Sequence, residues 1–562
     1  MAKAAPLLYV SLCQKVAPMK CNLCCCSLSR SYALVRLYRT LKMSYLEGEH
    51  RDQELLLPER LDGYISEDNP VRFIDAFVDQ LDLSACGFEA QRTDTRGRPG
   101  YAPADMLKLY LYGYSNRTRS SRQLERACHI NMEVIWLMRR LKPDHKTIAE
   151  FRRKHPKSFK KVFRQFVFLC RRLGLVAGEL VAIDGTQLKA VNNPSKNLTR
   201  TRLQRQIKDA DQKIDAYLAQ LDDEDAREKG GRKLNRSKLR EKMGRLKAEL
   251  DSMKELDSAM EQAGVKQVSQ TDPESRSMAK NPRIAVGYNA QASADEKHGI
   301  IVAEDLSNDV QDYDQLEPMA RQSKENLGDP KDLDVTADKG YDKASQIKAV
   351  EQMGARCHVP SRRNSVKGGK HYTKDAFGYL KTKDAYRCPA GKLLHRSYES
   401  QVNGKTIYTY NNSKACQGCR LFDRCTTKER GRNIIRGEDE ATVEVVRKRM
   451  AKEPEKYKRR GATIEKVFGT IKWAMGAESL LMKGVEKSRG EWSLLCACYN
   501  LKRLITLVGV KGLLEALDGL VFERRIALYP KMPIQLVNHA NPFENLRSVG
   551  NLDTNQRYQI AA

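Results

Sequence analysis

The chain has 562 residues, which is too long for one compact core and predicts about three or four structural units. It carries 100 Lys and Arg residues against 71 Asp and Glu residues, a net charge of +29. An excess of this size indicates a polyanionic partner, above all nucleic acid, although charge also serves solubility. No apolar run is long enough to cross a bilayer, so the sequence predicts no membrane association.

The first 42 residues differ in composition from the rest. They hold seven Lys and Arg residues, no acidic residue and five of the fifteen cysteines, and the composition changes at Met43. We interpret residues 1–42 as upstream sequence placed before a true start at Met43, with a targeting leader as the alternative. The ten later cysteines form no disulfide framework, which favours the reducing cytoplasm.

Residues 43–178 predict a helical DNA-binding domain, because apolar side chains recur there at helical spacing. Thr147 and Glu150 have the spacing of a capping box at the start of a helix. Arginines are frequent in this region. We interpret Arg119 and Arg152, among others, as phosphate contacts, with solvated surface charge as the alternative.

From residue 179 the pattern changes to strands. The runs Val-Ala-Ile-Asp184 and Asp-Val-Thr-Ala-Asp338 each predict a buried strand that ends in an acid at the sheet edge. Together with neighbouring β-rich and helical patterns, they predict a mixed α/β sheet core made of residues 179–361 and 446–510. Residues 511–562 form a C-terminal tail.

Two insertions interrupt this core. In residues 197–264 an apolar helical pattern lies on both sides of Gly230 and Gly231, which predicts an antiparallel helical hairpin. Such a hairpin either packs on itself or dimerises. Residues 362–445 form the second insertion, which is polar, basic and rich in glycine.

The second insertion also contains a set of cysteines that could hold a metal, namely Cys388, Cys416, Cys419 and Cys425. Four thiolates with one close pair and adjacent Gly or Pro turns match the tetrahedral preference of structural Zn²⁺. We therefore favour a Zn²⁺ site over free thiols, with His395 as a substitute ligand. A module of this kind could grip DNA.

The segment from Tyr457 to Lys472 predicts a helix with one buried face, formed by Ile464, Val467, Phe468, Ile471 and Met475. At about 100° per residue, Glu465 and Lys472 lie close together on the flank of that face. A carboxylate beside a cation at the edge of a buried face indicates a functional site. The alternative is an ordinary exposed Glu at a helix boundary.

Three acids far apart in sequence fit two-metal phosphoryl transfer. Mg²⁺ or Mn²⁺ prefers carboxylate oxygens, and two ions about 4 Å apart can activate the attacking oxygen and stabilise the leaving one. We predict that Asp184 bridges the two ions while Asp338 and Glu465 complete their coordination. Taken singly, the two aspartates could equally belong to ordinary turns at strand ends.

The ordered motifs resemble the DDE transposases of bacterial insertion sequences. The main ones are Val-Ala-Ile-Asp184-Gly-Thr, Thr-Ala-Asp338-Lys-Gly-Tyr and Tyr457-x2-Arg460-x4-Glu465-x6-Lys472. The resemblance runs from about Met43 to Leu504. The family leaves three residues between the arginine and the glutamate, whereas here four follow Arg460.

This resemblance implies an RNase H-like catalytic core behind an N-terminal helical domain. It implies an enzyme that cuts double-stranded DNA at the terminal inverted repeats of a transposon and joins the 3′-hydroxyl to target DNA, acting as a homodimer. Tyr457, Arg460 and Lys472 would bind DNA phosphates near the cut, and the shifted spacing makes Arg459 a further candidate. A metal-dependent nuclease without strand transfer and a non-catalytic DNA-binding derivative are the alternatives.

Overall fold

A computed structural model describes residues 60–88, 100–226, 236–262, 264–265, 267–280, 283–361, 371–402 and 404–519. The predicted extension 1–42 and the Gly230-Gly231 break lie outside the described residues. So does the tail beyond residue 519.

Among the described residues, six α-helices precede the first strand, in line with the predicted helical region. They are α1 Pro70–Gln80, α2 Pro103–Ser115, α3 Ser121–Ile130, α4 Met132–Leu137, α5 His145–Lys154 and α6 Pro156–Arg172. The start of α5 differs from the capping box predicted at Thr147. Asp144 is the N-cap, and its Oδ1 accepts hydrogen bonds from the backbone N–H groups of Lys146 at 2.8 Å and Thr147 at 3.0 Å. Because Asp144 accepts the first free backbone N–H groups, the helix begins three positions earlier than a cap at Thr147 would give.

The main sheet has six strands. They are β1 Leu180–Lys189, β4 Arg276–Lys280, β5 Arg283–Asp295, β6 Ile301–Ser307, β7 Leu333–Ala337 and β8 Ala355–His358. The order is β4-β5-β1-β7-β8, and β6 also pairs with β5. The strands β1, β4, β5 and β6 pair antiparallel, while β7 and β8 continue the sheet from β1 in parallel. This is a mixed sheet, as predicted.

Helices surround the main sheet. They are α9 Leu316–Leu327, α10 Ala344–Gln352, α13 Glu440–Lys452, α14 Pro454–Gly469 and α15 Val485–Gly519. The helix α14 packs against β1, β5 and β7, and α15 packs against β6, α2 and α6. Because α15 joins the first helices to the sheet, one continuous apolar core runs from Ile65 to Leu517. The fold is therefore of the α/β class.

The helical hairpin lies between two short paired strands, β2 Asn197–Thr199 and β3 Gln267–Ser269. Its helices are α7 Arg200–Ala226 and α8 Arg236–Gln262, and they pack against each other. Two small apolar clusters hold them: one contains Leu203 and also side chains of β2 and β3, and the other contains Leu250. In the described residues, the two helices of the predicted hairpin thus pack against each other.

The second insertion forms a five-stranded antiparallel sheet. Its strands are β9 Gly378–Leu380, β10 Ala385–Arg387, β11 Leu393–Val402, β12 Lys405–Asn411 and β13 Ile434–Gly437, with the short helices α11 Ser413–Cys416 and α12 Phe422–Cys425. A separate small core of Phe377, Tyr386, Leu394, Tyr410 and Ile434 supports it. We call it the small sheet.

By length and composition alone, the segment Val485–Asp518 of α15 could cross a membrane, but 61% of its apolar window is buried inside the protein. Trp492 and Leu495 on this helix are fully buried in the shared core. The central helix of a globular protein has the same composition, so this feature is weak support for a membrane span.

Candidate active site

The first predicted acid, Asp184, lies in the middle of β1, so the prediction that it ends the strand is wrong. The strand continues to Lys189 because β5 remains its partner over that whole stretch. The parallel partner β7 stops at Ala337, opposite Ile183. Asp184 is therefore the first residue of β1 beyond the end of its parallel neighbour, which places its carboxylate at the carboxyl edge of the β1–β7 pair.

The second predicted acid, Asp338, follows directly after β7 and lies beside Asp184. Its Oδ1 accepts a hydrogen bond of 2.6 Å from the backbone N–H of Gly340, which shapes the turn. Burial raises the pKa of Asp184 to about 6, and the negative charge of Asp338 adds to this, against the opposing effects of Arg460 and the Gly185 N–H. The structure thus brings these two carboxylates into electrostatic contact.

The third predicted acid, Glu465, lies on α14. The apolar face predicted for this helix is confirmed, because Ile464, Val467 and Phe468 are buried. The Glu465 side chain is exposed and is turned back along the helix, since a Cβ added to Gly461 would lie 3.3 Å from its Oε1. Among the described residues, no group of three or more His, Cys, Asp or Glu side chains is arranged so that it could hold a metal ion. Glu465 therefore lies on the helix that faces the two aspartates, but its carboxylate does not form a metal-holding group with theirs.

The predicted DNA contact Arg460 is engaged within the protein. Its Nη1 donates to Oδ2 of Asp184 at 2.9 Å, and the side chains are only 15% and 22% exposed. The ring of Tyr457 lies 6.0 Å from the Arg460 guanidinium carbon. The positive charge of Arg460 opposes the rise in the pKa of Asp184 that burial causes.

The other predicted DNA contacts lie on either side of this pair. Arg459 donates to Glu296 at 2.8 Å and remains more than half exposed. Lys472 donates to the hydroxyl of Thr186, two residues beyond Asp184 on the same face of β1. Arg460 and Lys472 therefore contact the Asp184 face of β1, whereas Arg459 pairs with Glu296, whose N–H bonds to Leu180 at the start of that strand.

Sequence reasoning missed a polar cluster beneath Gly185. Oδ1 of Asp312 accepts from Nδ2 of Asn289 at 2.7 Å and from Nε2 of Gln291 at 2.6 Å, and Gln291 accepts from the hydroxyl of Tyr341. A Cβ at position 185 would lie 2.4 Å from Gln291 Nε2, so only glycine fits there. These side chains come from three separate segments, and no spacing in the sequence connects them.

Two arginines of the N-terminal helical region hold the turn that follows α14. Arg117 donates to the carbonyls of Trp473 and Ala474, the latter at 2.6 Å, and Arg119 donates to the carbonyls of Gly476 at 3.0 Å and Ser479 at 2.7 Å. These contacts fix the segment between α14 and α15 relative to the first helices.

The prediction that Arg119 and Arg152 contact phosphates is wrong, because both are buried. Arg119 also pairs with the fully buried Glu491 at 2.8 Å, and Arg152 donates to the hydroxyl of Tyr114 at 2.6 Å. Tyr114 in turn donates to Glu491 at 3.0 Å. Both arginines therefore take part in buried contacts that connect the first helices to α15; we call these contacts the joint.

The four predicted metal-binding cysteines of the small sheet line one cavity, together with Tyr372, Phe422 and Arg432 among others. All four are free thiols. Burial raises the pKa of Cys425, and the charges of Cys416, Cys388 and Cys419 raise it further. His395 does not line this cavity. The thiols are neighbours, although no metal-holding group is formed among the described side chains as they stand.

Two family models match the sequence. One, described as a transposase domain (DUF772), matches residues 59–154, and the other, described as a transposase DDE domain, matches residues 387–505. The first covers the helices up to α5, and the second covers Glu465 and Lys472. No curated protein matches the chain. Two transposase models match the chain in this order, with the paired acids between the two matched ranges, and they support its assignment to the DDE transposases of insertion sequences.

Proposed function

We propose that this transposase cuts DNA at the ends of its own element and joins the released 3′-hydroxyl to target DNA. The observation that carries the proposal is the pairing of Asp184 and Asp338 at the carboxyl edge of β1 and β7, faced by α14. Four strands pair antiparallel and two continue the sheet from β1 in parallel, with Asp184 on β1 and Asp338 directly after β7, and this arrangement supports an RNase H-like core.

The oxygen donors at this edge fit Mg²⁺ or Mn²⁺. Asp184 and Asp338 present carboxylate oxygens, the ligands that these hard cations prefer, and their mutual repulsion would be relieved by a cation. Asp184, Asp338 and Glu465 would hold the ions, with Asp184 shared. Two such ions supply Lewis acidity for in-line displacement at phosphorus. Glu465 is exposed, and its side chain would have to turn toward the aspartates to complete the site.

The basic side chains around the acids would bind and orient the DNA strand. Arg460 is within reach of Asp184, so it can exchange that carboxylate for a phosphate beside the cut. Lys472 on Thr186 and the Tyr457 ring beside Arg460 lie near the same carboxylate, and the exposed Arg459 adds a further positive charge on α14. Charge-assisted contacts to phosphate fix the position of the strand without reading its sequence.

The remaining assignments follow from this role. We assign residues 43–178 to binding of the transposon ends, 179–361 and 446–510 to the catalytic core, and 197–264, 362–445 and 511–562 to the two insertions and the tail. The substrate is double-stranded DNA with terminal inverted repeats, and a homodimer would pair two ends. The net charge of +29 supports a DNA partner, and the reaction takes place in the cytoplasm.

For the small sheet we propose a structural Zn²⁺ held by Cys388, Cys416, Cys419 and Cys425. Four neighbouring free thiols in one cavity support this, and rotation of their side chains would close the site. Elemental analysis of protein purified without chelator should give about one zinc per chain, and less in a Cys416→Ser Cys419→Ser variant. The assignment would be contradicted if the parent protein without zinc were as thermally stable as the parent protein with zinc.

The function is tested with labelled duplexes that carry the element's terminal repeats, a target plasmid and Mg²⁺. Joined products support the proposal, nicked ends alone indicate a nuclease, and bound but intact DNA indicates a non-catalytic derivative. Asp184→Asn and Asp338→Asn should each lower cutting by at least about 1,000-fold while DNA is still bound. Asp332→Asn, which removes an exposed charge before the opposite end of β7, is the matched control and should cut normally. Normal cutting by Asp184→Asn would refute the assigned role.

A further inference from the structure

Asp312 is an acidic residue that lies against both acids of the proposed active site. It belongs to the loop between β6 and α9. A Cβ added to Gly185, the residue after Asp184, would lie 2.6 Å from Oδ1 of Asp312. A Cβ added to Gly340 would lie 3.5 Å from its Oδ2 and 2.7 Å from Oδ1 of Asp338. The Asp312 carboxylate therefore spans the gap between the residue that follows Asp184 and the turn that follows β7.

The Asp312 side chain is held in one orientation. Nδ2 of Asn289 and Nε2 of Gln291 donate to its Oδ1 at 2.7 Å and 2.6 Å, and both donors are buried on β5. Gln291 in turn accepts from the hydroxyl of Tyr341, in the turn after Asp338. Among the described residues, Oδ2 of Asp312 takes part in no hydrogen bond and no ion pair. One oxygen is thus fixed by β5, and the other is an available acceptor on the Asp338 side.

The carboxylates of Asp184, Asp312 and Asp338 together carry more negative charge than the protein neutralises. In the part of the chain that the structure describes, their ion pairs are limited to the one between Arg460 and Asp184. Burial raises the pKa of Tyr341 well above its usual value, and the negative charges of all three carboxylates raise it further. The three groups are therefore close enough to act on one buried phenol. Surplus negative charge of this kind attracts a divalent cation.

Asp312 differs from Glu465, the third acid of the predicted triad. The Glu465 side chain is exposed and is turned back along α14. The Asp312 side chain is partly buried and anchored to β5, so its distance from the Asp338 turn is fixed before any ligand binds. A carboxylate that is already held in place loses little side-chain entropy when a cation binds beside it, which favours binding.

We propose that Asp312 is a positioning residue of the cation site formed by Asp184 and Asp338. This inference rests on the proposed function, because a cation must be held at the two aspartates. Among the described side chains, as they stand, no group of three acids is arranged to hold an ion, so Asp312 acts from outside its direct coordination. Mg²⁺ usually keeps several water ligands, and Oδ2 of Asp312 is an available acceptor for their hydrogen bonds. The negative charge of Asp312 adds to the attraction for the cation.

The test measures Mn²⁺ binding by full-length protein on a terminal-repeat duplex whose end is already cut, from the electron paramagnetic resonance signal of unbound Mn²⁺. Asp312→Asn should weaken binding about 10-fold, because the variant loses the charge and the Oδ2 acceptor. Its thermal midpoint should equal that of the parent, since asparagine retains an oxygen that accepts from Asn289 and Gln291. The Mg²⁺ concentration for half-maximal cutting of an uncut end should rise by a similar factor, while the rate at saturating Mg²⁺ stays close to that of the parent.

Asp314→Asn is the matched control, because Asp314 is an exposed acid of the same loop and pairs with Lys343. It should change neither Mn²⁺ binding nor the Mg²⁺ requirement. Mn²⁺ binding by Asp312→Asn equal to that of the parent overturns the inference, and so does slow cutting that excess Mg²⁺ does not restore. Loss of Mn²⁺ binding in Asp184→Asn would then leave the proposed function standing. If the parent itself binds no Mn²⁺, the metal assignment of the proposed function fails and the inference fails with it.

Discussion

The N-terminal helices and the two insertions pack against the main sheet to very different extents. The helices α1 to α6 share one apolar core with the sheet and α15. The hairpin and the small sheet each have a core of their own, made of a handful of side chains. A boundary in sequence, such as the one near residue 178, is therefore not a boundary in packing. We therefore expect each insertion to unfold independently of the main sheet, whereas the first helices should unfold together with it.

Buried polar contacts strengthen this distinction. Glu491 on α15 accepts from Arg119 and Tyr114 of the first helices, and its Oε2 accepts from the backbone N–H groups of Leu481 at 2.8 Å and Met482 at 3.0 Å. One carboxylate thus joins the helical region, the turn after α14 and α15. Removing one partner from this joint would leave a buried charge unpaired, which costs free energy of folding.

The largest expected effect comes from breaking that joint. Arg119→Met leaves Glu491 buried without its cation and should lower the free energy of unfolding of the shared core by about 3–5 kcal/mol. The measurement is thermal or chemical unfolding followed by the fluorescence of buried Trp492. Arg153→Met, at the exposed pair with Glu150, is the control and should cost under about 1 kcal/mol. Similar effects of the two variants would contradict a single shared core.

A somewhat smaller and local effect is expected in the hairpin. Leu203 is fully buried against Met260 and Val268, so Leu203→Ala should cost about 2–4 kcal/mol. Because this core is separate, amide hydrogen exchange should accelerate in α7 and α8 and stay unchanged in β1 and β7. Leu218→Ala, at an exposed position of the same helix, should leave all four elements unchanged. Faster exchange in β1 after Leu203→Ala would show that the hairpin belongs to the shared core.

The next largest effect is a pH-dependent change in stability, which we expect from a buried acid of the shared core. Glu304 on β6 is fully buried, and burial raises its pKa to about 7, with Ser493 donating to Oε1 at 2.8 Å. A raised pKa means that the folded state favours the protonated acid, so its contribution to stability is present below about pH 4.5 and is lost as the pH rises through 7. Glu304→Gln should therefore be more stable than the parent by about 2–3 kcal/mol at pH 8 and nearly equal to it at pH 5.

Thermal midpoints at the two pH values measure this difference. Glu325→Gln, at an exposed position on α9, serves as the control and should show the pH dependence of the parent. A Glu304→Gln variant that is less stable than the parent at pH 8 would mean that the ionised acid is stabilised in place.

The smallest effect is expected in the small sheet. Arg436 donates from Nη1 to the hydroxyl of buried Tyr386 at 3.0 Å, so Tyr386→Phe should cost about 1 kcal/mol. The measurement is the rate of limited proteolysis within β9 to β13, which should rise while cleavage of the shared core does not. Tyr398→Phe, at an exposed position on β11, should leave the rate unchanged. A shift in the unfolding of Trp492 would contradict the separation of the two cores.

The elements of the shared core were predictable where periodicity is strong. The buried face of α14 follows from the spacing of Ile464, Val467 and Phe468, and the strands that carry Asp184 and Asp338 follow from apolar runs. The extent of β1 was not predictable, because the partner that prolongs it, β5, lies more than 90 residues away in sequence. The register of a distant strand is absent from the local pattern.

The site was predictable in its acids and less so in their surroundings. Asp184 and Asp338 come together because each stands at the edge of one of two adjacent parallel strands. The contact between Arg460 and Asp184 depends on how α14 is placed over the sheet, and the Asp312 cluster depends on three loops and strands at once. Arg119 was predicted to contact phosphate but is buried. Whether a guanidinium is buried depends on its partner, here Glu491, which composition does not reveal.

The packing of α6 along α15 has a consequence for translation of the gene. A polypeptide begun at an internal start codon beyond α6 would lack the surface that covers α15, and Trp492 and Leu495 would lie close to a bare apolar flank. Such a fragment would expose to solvent the apolar surface that α6 covers, and we expect it to fold poorly and to be degraded.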